Sequence, residues 1–174
     1  MALKLMYITN DPAVALLAEA VGTDWIWVDL ETLGKAERQG HMDSVKSHHT
    51  VADIRALRAV LTRSELLVRI DPMHDGSPAQ IEQVIEAGAD IIMLPMWRSC
   101  EEVSRFLTLV NGRCRTMLLL ETKEADACLD EVLRLSGIDM VHIGLNDLHL
   151  SYARTFMFEL LTDGTVERIC ERLR

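Results

Sequence analysis

Cysteine is scarce and unpatterned in this chain. Cys100, Cys114, Cys128 and Cys170 form no CxxC pair and meet no histidines at zinc-finger spacing, which argues against a structural zinc site and leaves them as reduced thiols. Basic residues are in deficit: 18 Lys and Arg stand against 27 Asp and Glu, for a formal net charge of −9. That is the wrong sign for a surface that must neutralise phosphate, so no nucleic-acid partner is expected. No apolar run is long enough to span a bilayer, and the N-terminal stretch reaches Asp24 and Asp29 without a signal-peptide core. The expectation is a cytoplasmic chain with no membrane partner. Compositional bias of the kind that marks disorder is also missing.

What is present is a rhythm. Short apolar runs rich in β-branched residues alternate with longer segments whose apolar residues recur at helical spacing. The runs are 3–8, 25–28, 66–70, 90–94, 116–120 and 140–143, and the helical segments open near Pro12, Val51, Ser77, Cys100, Ala125 and Thr165. Asn10-Asp11-Pro12 and Ser77-Pro78 read as helix starts. Between Leu30 and Thr50 the chain is polar and dense in His, Lys and Arg, which predicts a long loop before the second helix.

Strands with almost no polar residue on either face belong in a parallel sheet covered by helices. A (β/α)8 TIM barrel explains a further regularity. Asp29 and Glu31, Arg69, Glu121 and Asp147 lie at or just beyond the C-terminal ends of successive runs, the rim where such barrels place their chemistry. The expected fold is therefore α/β, with about six βα units in residues 1–174 as one domain. A complete barrel takes about 250 residues. The first and sixth strands are accordingly expected to have open edges, completed by C-terminal sequence or by a partner.

Five segments taken together, Trp25-Ile26-Trp27-Val28-Asp29-Leu30-Glu31, Leu67-Val68-Arg69, Gly88 to Met96, Leu119-Leu120-Glu121-Thr122 and Ile143-Gly144-Leu145-Asn146-Asp147-Leu148, resemble the HpcH/HpaI aldolase and citrate lyase β-subunit family in order and spacing. The resemblance implies a lyase or aldolase acting on a 2-oxo acid and an aldehyde through a pyruvate enolate, with Mg²⁺ or Mn²⁺, in a homo-oligomer. It makes Glu121 and Asp147 the metal ligands. It gives Arg69 the keto and enolate oxygens, the backbone of Gly144, Leu145 and Asn146 the substrate carboxylate, and Asp29 with Glu31 the water and proton network. The physical logic runs parallel: two carboxylates suit a hard cation that keeps positions open for substrate, and a guanidinium fork suits an oxyanion. The plainer alternatives are that Glu121 caps the next helix, Asp147 is a turn acid, Arg69 is a rim salt bridge and Gly144 merely ends a strand.

Two departures from the family pattern stand out. Where the aldolase branch has a histidine after the acidic pair, this chain has Thr32, whose hydroxyl cannot act as a base near neutral pH. His48 and His49, ahead of the second helix, are the preferred replacements, with His41 and His74 behind them; solvated loop histidines are the alternative. The fourth and fifth strands are joined by a short helical connection instead of a long substrate-touching loop. Trp25 and Trp27 should share one strand face and pack under a helix, and Met93, Met96 and Met117 are expected to fill gaps in the core. The competing functions are a coenzyme A ester lyase of the citrate lyase β type and a barrel without catalysis that serves binding or assembly.

Overall fold

Each apolar run forms a strand, and each strand leads into helix, as the alternation requires. The structure, a computed structural model, describes residues 3–34 and 47–174. These form two compact units, one of the described residues up to 93 together with 113–115, the other of residues 94–112 and 116–174.

The first unit contains β1 (Met6–Ile8), α1 (Pro12–Ala20), β2 (Trp25–Asp29), α2 (Val51–Val60), β3 (Glu65–Arg69), α3 (Ser77–Glu86) and all but the last residue of β4 (Ile91–Leu94). Neighbouring strands are parallel and follow chain order, with Trp27 opposite Leu67, Asp29 opposite Arg69 and Arg69 opposite Met93. Strand alternation then sorts the side chains. Ile26, Val28, Leu66, Val68 and Ile92 are all fully buried and form the layer under the helices. Trp25, Trp27 and Asp29 point the other way, together with Glu65, Leu67 and Arg69.

The two indoles therefore do not lie under a helix as the sequence suggested. Trp25 Nε1 donates to Glu65 Oε2 at 3.1 Å, and Trp27 lies beneath the Arg69 guanidinium, 5.1 Å from Cζ to the ring centroid. A polar edge and a π face let both rings sit among charged groups.

Local signals set the helix starts. Asp11 caps α1 by accepting from the Ala13 and Val14 amides, with Pro12 at the first position, and Thr50 and Asp53 form a reciprocal capping box on α2. At α3 the cap residue is Gly76 and makes no side-chain bond; Ser77 Oγ instead accepts from the His74 amide at 2.9 Å. α1 is fastened to the turn before β3 by Glu19, whose Oε1 accepts from the Thr62, Arg63 and Ser64 amides at 2.9, 2.7 and 2.8 Å.

The second unit holds α4 (Cys100–Val110), nearly all of β5 (Arg115–Leu120), α5 (Lys123–Val132), β6 (Met140–Ile143), α6 (Leu145–Ser151), α7 (Glu159–Thr162) and α8 (Thr165–Arg172). β5 and β6 are parallel, with Leu118 opposite Val141 and Leu120 opposite Ile143. Neither α6 nor α7 was anticipated. Gly144-Leu145-Asn146-Asp147 has the composition of a turn, yet Gly144 is the extended N-cap of a helix that begins at Leu145. The C-terminal helix docks through charge: Arg168 forks onto both Asp126 carboxylate oxygens at 3.0 and 2.7 Å, and Arg172 Nη1 adds a bond of 2.7 Å. Burial pushes the Asp126 carboxyl up, but the bonds from Arg168 and Tyr152 outweigh it and hold the group below its usual range.

The Glu19 fastening has a pH signature. Backbone amides of Arg63 and Ser64 hold its carboxyl at about 2, down from 4.5. A lowered folded-state value means stabilisation that is complete above the unfolded value and fades as pH falls from about 4.5 towards 2. Urea midpoints of the parent and Glu19→Gln should differ by a constant amount at neutral pH and converge over that acid window. A gap that stays the same at low pH would refute the assignment.

Candidate active site

At the ends of β2 and β3 the strand register sets Asp29 beside Arg69, and the side chains meet as a two-pronged pair. Arg69 Nε and Nη2 each donate at 2.8 Å, to Asp29 Oδ1 and Oδ2. Glu31 Oε2 lies 3.4 Å from Arg69 Nε, and the Trp27 ring supports the guanidinium from below. Asp29 and Glu31 are 2% and 3% exposed, so the cluster gathers two carboxylates and one guanidinium in a largely dry setting. The rim salt bridge expected as the plain alternative for Arg69 is present. The same pairing fixes the plane of the fork, which is what oxyanion recognition needs.

His49 joins this cluster through its ring. Its Nδ1 accepts the Asp29 amide at 3.0 Å; because a backbone N–H can only donate, Nδ1 carries no proton and the neutral ring holds its proton on Nε2. His48 beside it is exposed. His74 is turned to its own turn, with Nδ1 at 3.1 Å from Pro72 O and 3.0 Å from Ser77 Oγ. His41 lies outside the described residues.

In the second unit, Glu121 follows β5 and is 3% exposed. Its Oε1 accepts the Met96 amide at 2.9 Å. Met96 holds a positive φ of 53°, an uncommon conformation for a residue with a side chain and one that marks functional turns. The residue set down as a gap-filler thus aims a backbone donor at a buried carboxylate. Glu121 does not cap α5. That task falls to Thr122, whose hydroxyl accepts from the Ala125 amide at 3.0 Å and donates to Trp97 O at 2.9 Å.

Gly144, opening α6, packs against Glu121. A Cβ there would sit 3.0 Å from Glu121 Oε2 and 3.1 Å from both Glu121 Cβ and Leu119 Cδ1. Three residues on, Asp147 occupies the first turn of α6 and is 9% exposed. Asp147 is thus a helix-first-turn acid, placed where the N-terminal dipole favours negative charge. Leu145 and Asn146 supply the first two amides of that turn, which α-helical bonding leaves without partners within the helix. His149 is buried on the same helix, its Nδ1 at 3.2 Å from Leu145 O.

Glu121 and Asp147 offer only oxygen donors, a set suited to a hard divalent cation. A Cβ at Gly144 would lie 3.0 Å from Glu121 Oε2, and the chemistry of an all-oxygen donor set is that of a hard cation whose shell water and substrate complete. Among the described residues no group of three or more His, Cys, Asp or Glu forms a metal cage. Asp71 and Gln80, which bind the segment after Glu31, were not signalled by sequence, since neither lies in a motif.

Comparison with known proteins places this arrangement. The succession of βα units is that of the TIM-barrel aldolases, of whose eight units this chain carries six: it superposes on an HpcH/HpaI aldolase from Desulfitobacterium hafniense DCB-2 with a TM-score of 0.76 at 17% identity, covering 97% of this chain and 73% of that one. The model of the HpcH/HpaI aldolase/citrate lyase family matches residues 4–156, and the chain belongs to that family. A hydroxypyruvate/pyruvate aldolase of Roseovarius nubinhibens is 25% identical over 173 residues, an alignment that takes in 79% of this chain and 60% of that protein's length. The citrate lyase β subunit of M. tuberculosis, solved with oxaloacetate and magnesium, gives a TM-score of 0.61 at 20% identity, covering 87% of this chain and 57% of that one.

The contact at Gly144 can be tested directly. Its φ of −89° suits any residue, so Gly144→Ala introduces only the crowding against Glu121 and Leu119. It should lower the unfolding free energy by about 1–2 kcal/mol, the range for a methyl forced into a packed site. Urea denaturation measures this, and an unchanged midpoint would show that the Glu121 side chain moves aside freely.

Proposed function

We propose that this chain is a carbon–carbon lyase of the class II aldolase type, cleaving or forming a 2-oxo acid through a pyruvate enolate. The observation that carries the proposal is the buried Glu121, oriented by the Met96 amide and lying against a glycine at which a Cβ would crowd it, with Asp147 on the helix that this glycine opens. Glu121 and Asp147 would hold a divalent ion, Mg²⁺ or Mn²⁺. Such an ion, when bound, supplies positive charge to the oxygens of the 2-oxo acid and of its enolate. Support comes from the magnesium and oxaloacetate in the citrate lyase β-subunit structure and from the name of the curated aldolase relative.

In the first unit, Arg69, its fork held by Asp29, would stabilise an oxygen on which negative charge develops as a carbon–carbon bond breaks. In cleavage, a base takes the proton of the hydroxyl on the aldehyde-side carbon, the bond electrons pass into the enolate, and the enolate carbon is then protonated. Glu31 is a carboxylate that can accept a proton, and His49 can donate one through Nε2–H; exposed His48 is the neighbouring carrier. The amides of Leu145 and Asn146 at the opening of α6, with Gly144, would receive the substrate carboxylate. The physiological aldehyde is left open by this reading, and assembly into homo-oligomers belongs to the same proposal.

The enolate step can be measured without knowing the aldehyde. The metal-loaded chain should exchange the methyl protons of pyruvate in deuterated water, followed by NMR. Chelator should stop the exchange, and Glu121→Gln should slow it by roughly 100-fold or more, the scale for loss of electrostatic stabilisation at the reacting oxygen. Exchange indifferent to chelator, or absent from metal-loaded protein, would overturn the proposal. Cleavage of a coenzyme A thioester in preference to the free acid would instead assign the chain to the citrate lyase β side of its family.

A further inference from the structure

Two residues beyond Arg69 on the same strand end, Asp71 is 6% exposed and makes more hydrogen bonds than a chance buried acid requires. Its Oδ1 accepts from the Thr32 amide at 2.7 Å, the Leu33 amide at 2.9 Å and the Thr32 hydroxyl at 3.2 Å. Its Oδ2 accepts from Gln80 Nε2 at 2.8 Å, and the Asp71 amide donates to Gln80 Oε1 at 3.1 Å. Gln80, on α3, thereby braces both the backbone and the side chain of Asp71.

Among the described residues, these are the hydrogen bonds that hold Thr32 and Leu33. Leu30 and Glu31 are buried, but Thr32 and Leu33 are exposed, so apolar packing cannot fix the chain where it leaves the cluster. Glu31 is the last buried residue before that exit. On one side its amide donates to Asp29 Oδ1 at 3.1 Å; on the other, the next residue is bound to Asp71. Ile70, between Arg69 and Asp71, is fully buried and its amide donates to Met93 O at 3.2 Å. The peptide that carries both Arg69 and Asp71 is therefore anchored in the sheet.

We propose that Asp71, braced by Gln80, is a positioning residue for the reaction proposed above: a latch that ties Thr32 and Leu33 to the end of β3 and so fixes the Glu31 carboxylate relative to Arg69. Thr32 stands where the aldolase branch of the family has a histidine, and both its amide and its hydroxyl are committed to Asp71. At this position the chain has a fastening in place of a proton carrier. The inference rests on the lyase reading for its effect on rate, and on geometry alone for the latch.

The test exploits the donor and acceptor pattern. Asp71→Ala removes every acceptor. Asp71→Asn keeps an oxygen for Thr32 and Leu33 but turns an amide group towards the amide group of Gln80. Adding Gln80→Glu restores every bond with the donors exchanged: the asparagine amide group and its backbone N–H both meet the new carboxylate. Pyruvate proton exchange in Asp71→Ala should lose about 10- to 100-fold in kcat, as expected for a displaced reacting group, with KM for pyruvate nearly unchanged. The double variant Asp71→Asn/Gln80→Glu should recover most of it. Hydrogen exchange at the Thr32 and Leu33 amides should be slow in the parent and the double variant and fast in Asp71→Ala.

Unchanged kcat in folded Asp71→Ala, or a lost kcat not recovered in a double variant whose amides are protected, would overturn the positioning role. Were the parent chain itself to exchange no pyruvate protons, the lyase reading would fall. Amide exchange would then decide the latch alone, and protection retained in Asp71→Ala would refute it.

Discussion

Burying a guanidinium is costly unless its charge and its hydrogen-bonding plane are both matched. At the end of β3 that requirement is met by one partner across the sheet. The parallel register sets Asp29 opposite Arg69, the carboxylate takes both prongs of the fork, and the Trp27 face lies under it. Much of the local architecture serves this pair. His49 is placed by its bond to the Asp29 amide, Glu31 hangs from Asp29 Oδ1, and the latch at Asp71 issues from the same strand end as Arg69. Removing one member of a buried pair of this kind costs roughly 3–5 kcal/mol. Lysine could not stand in, having no planar fork to match a carboxylate.

In the second unit a buried carboxylate, Glu121, is oriented by the main chain. Backbone geometry does the work there: the uncommon conformation of Met96 turns an amide onto Glu121, and Gly144 leaves space where any side chain would crowd the same carboxylate. The cluster around Asp126 is held differently: Arg168 and Arg172 pair with the acid and anchor α8.

The strands were legible because parallel strands buried on both faces leave a continuous apolar signature, and the residues after them because chemistry gathers at strand ends. What escaped was decided by contacts distant in sequence or by ambiguous composition. Gly144-Leu145-Asn146-Asp147 reads as a turn because Gly, Asn and Asp favour turns, yet they favour helix starts equally. Alternation puts Trp25 and Trp27 on one strand face but cannot say which, and their neighbours across the register, Glu65 and Leu67, set that face beside the charged residues. Thr122 next to Glu121 is a readable cap, and its hydroxyl takes the role that leaves Glu121 out of the helix start. Asp71 and Gln80 belong to no motif, and only the fold brings them to Thr32. The pairing of Asp29 with Arg69 depends on strand register, which an apolar pattern cannot give to the residue.

Both ends of the connection between β2 and α2 are secured. Thr32 and Leu33 are bound at its start; at its finish, His49 is joined to Asp29 and Thr50 is locked into the capping box of α2. Closing a loop between fixed ends costs free energy that rises only with the logarithm of its length. The pairing of Asp29 with Arg69 is itself set by the sheet register and not by the length of that connection. A change of length in that stretch would therefore be felt first at its two anchors, Thr32 and His49, before it reached the strands.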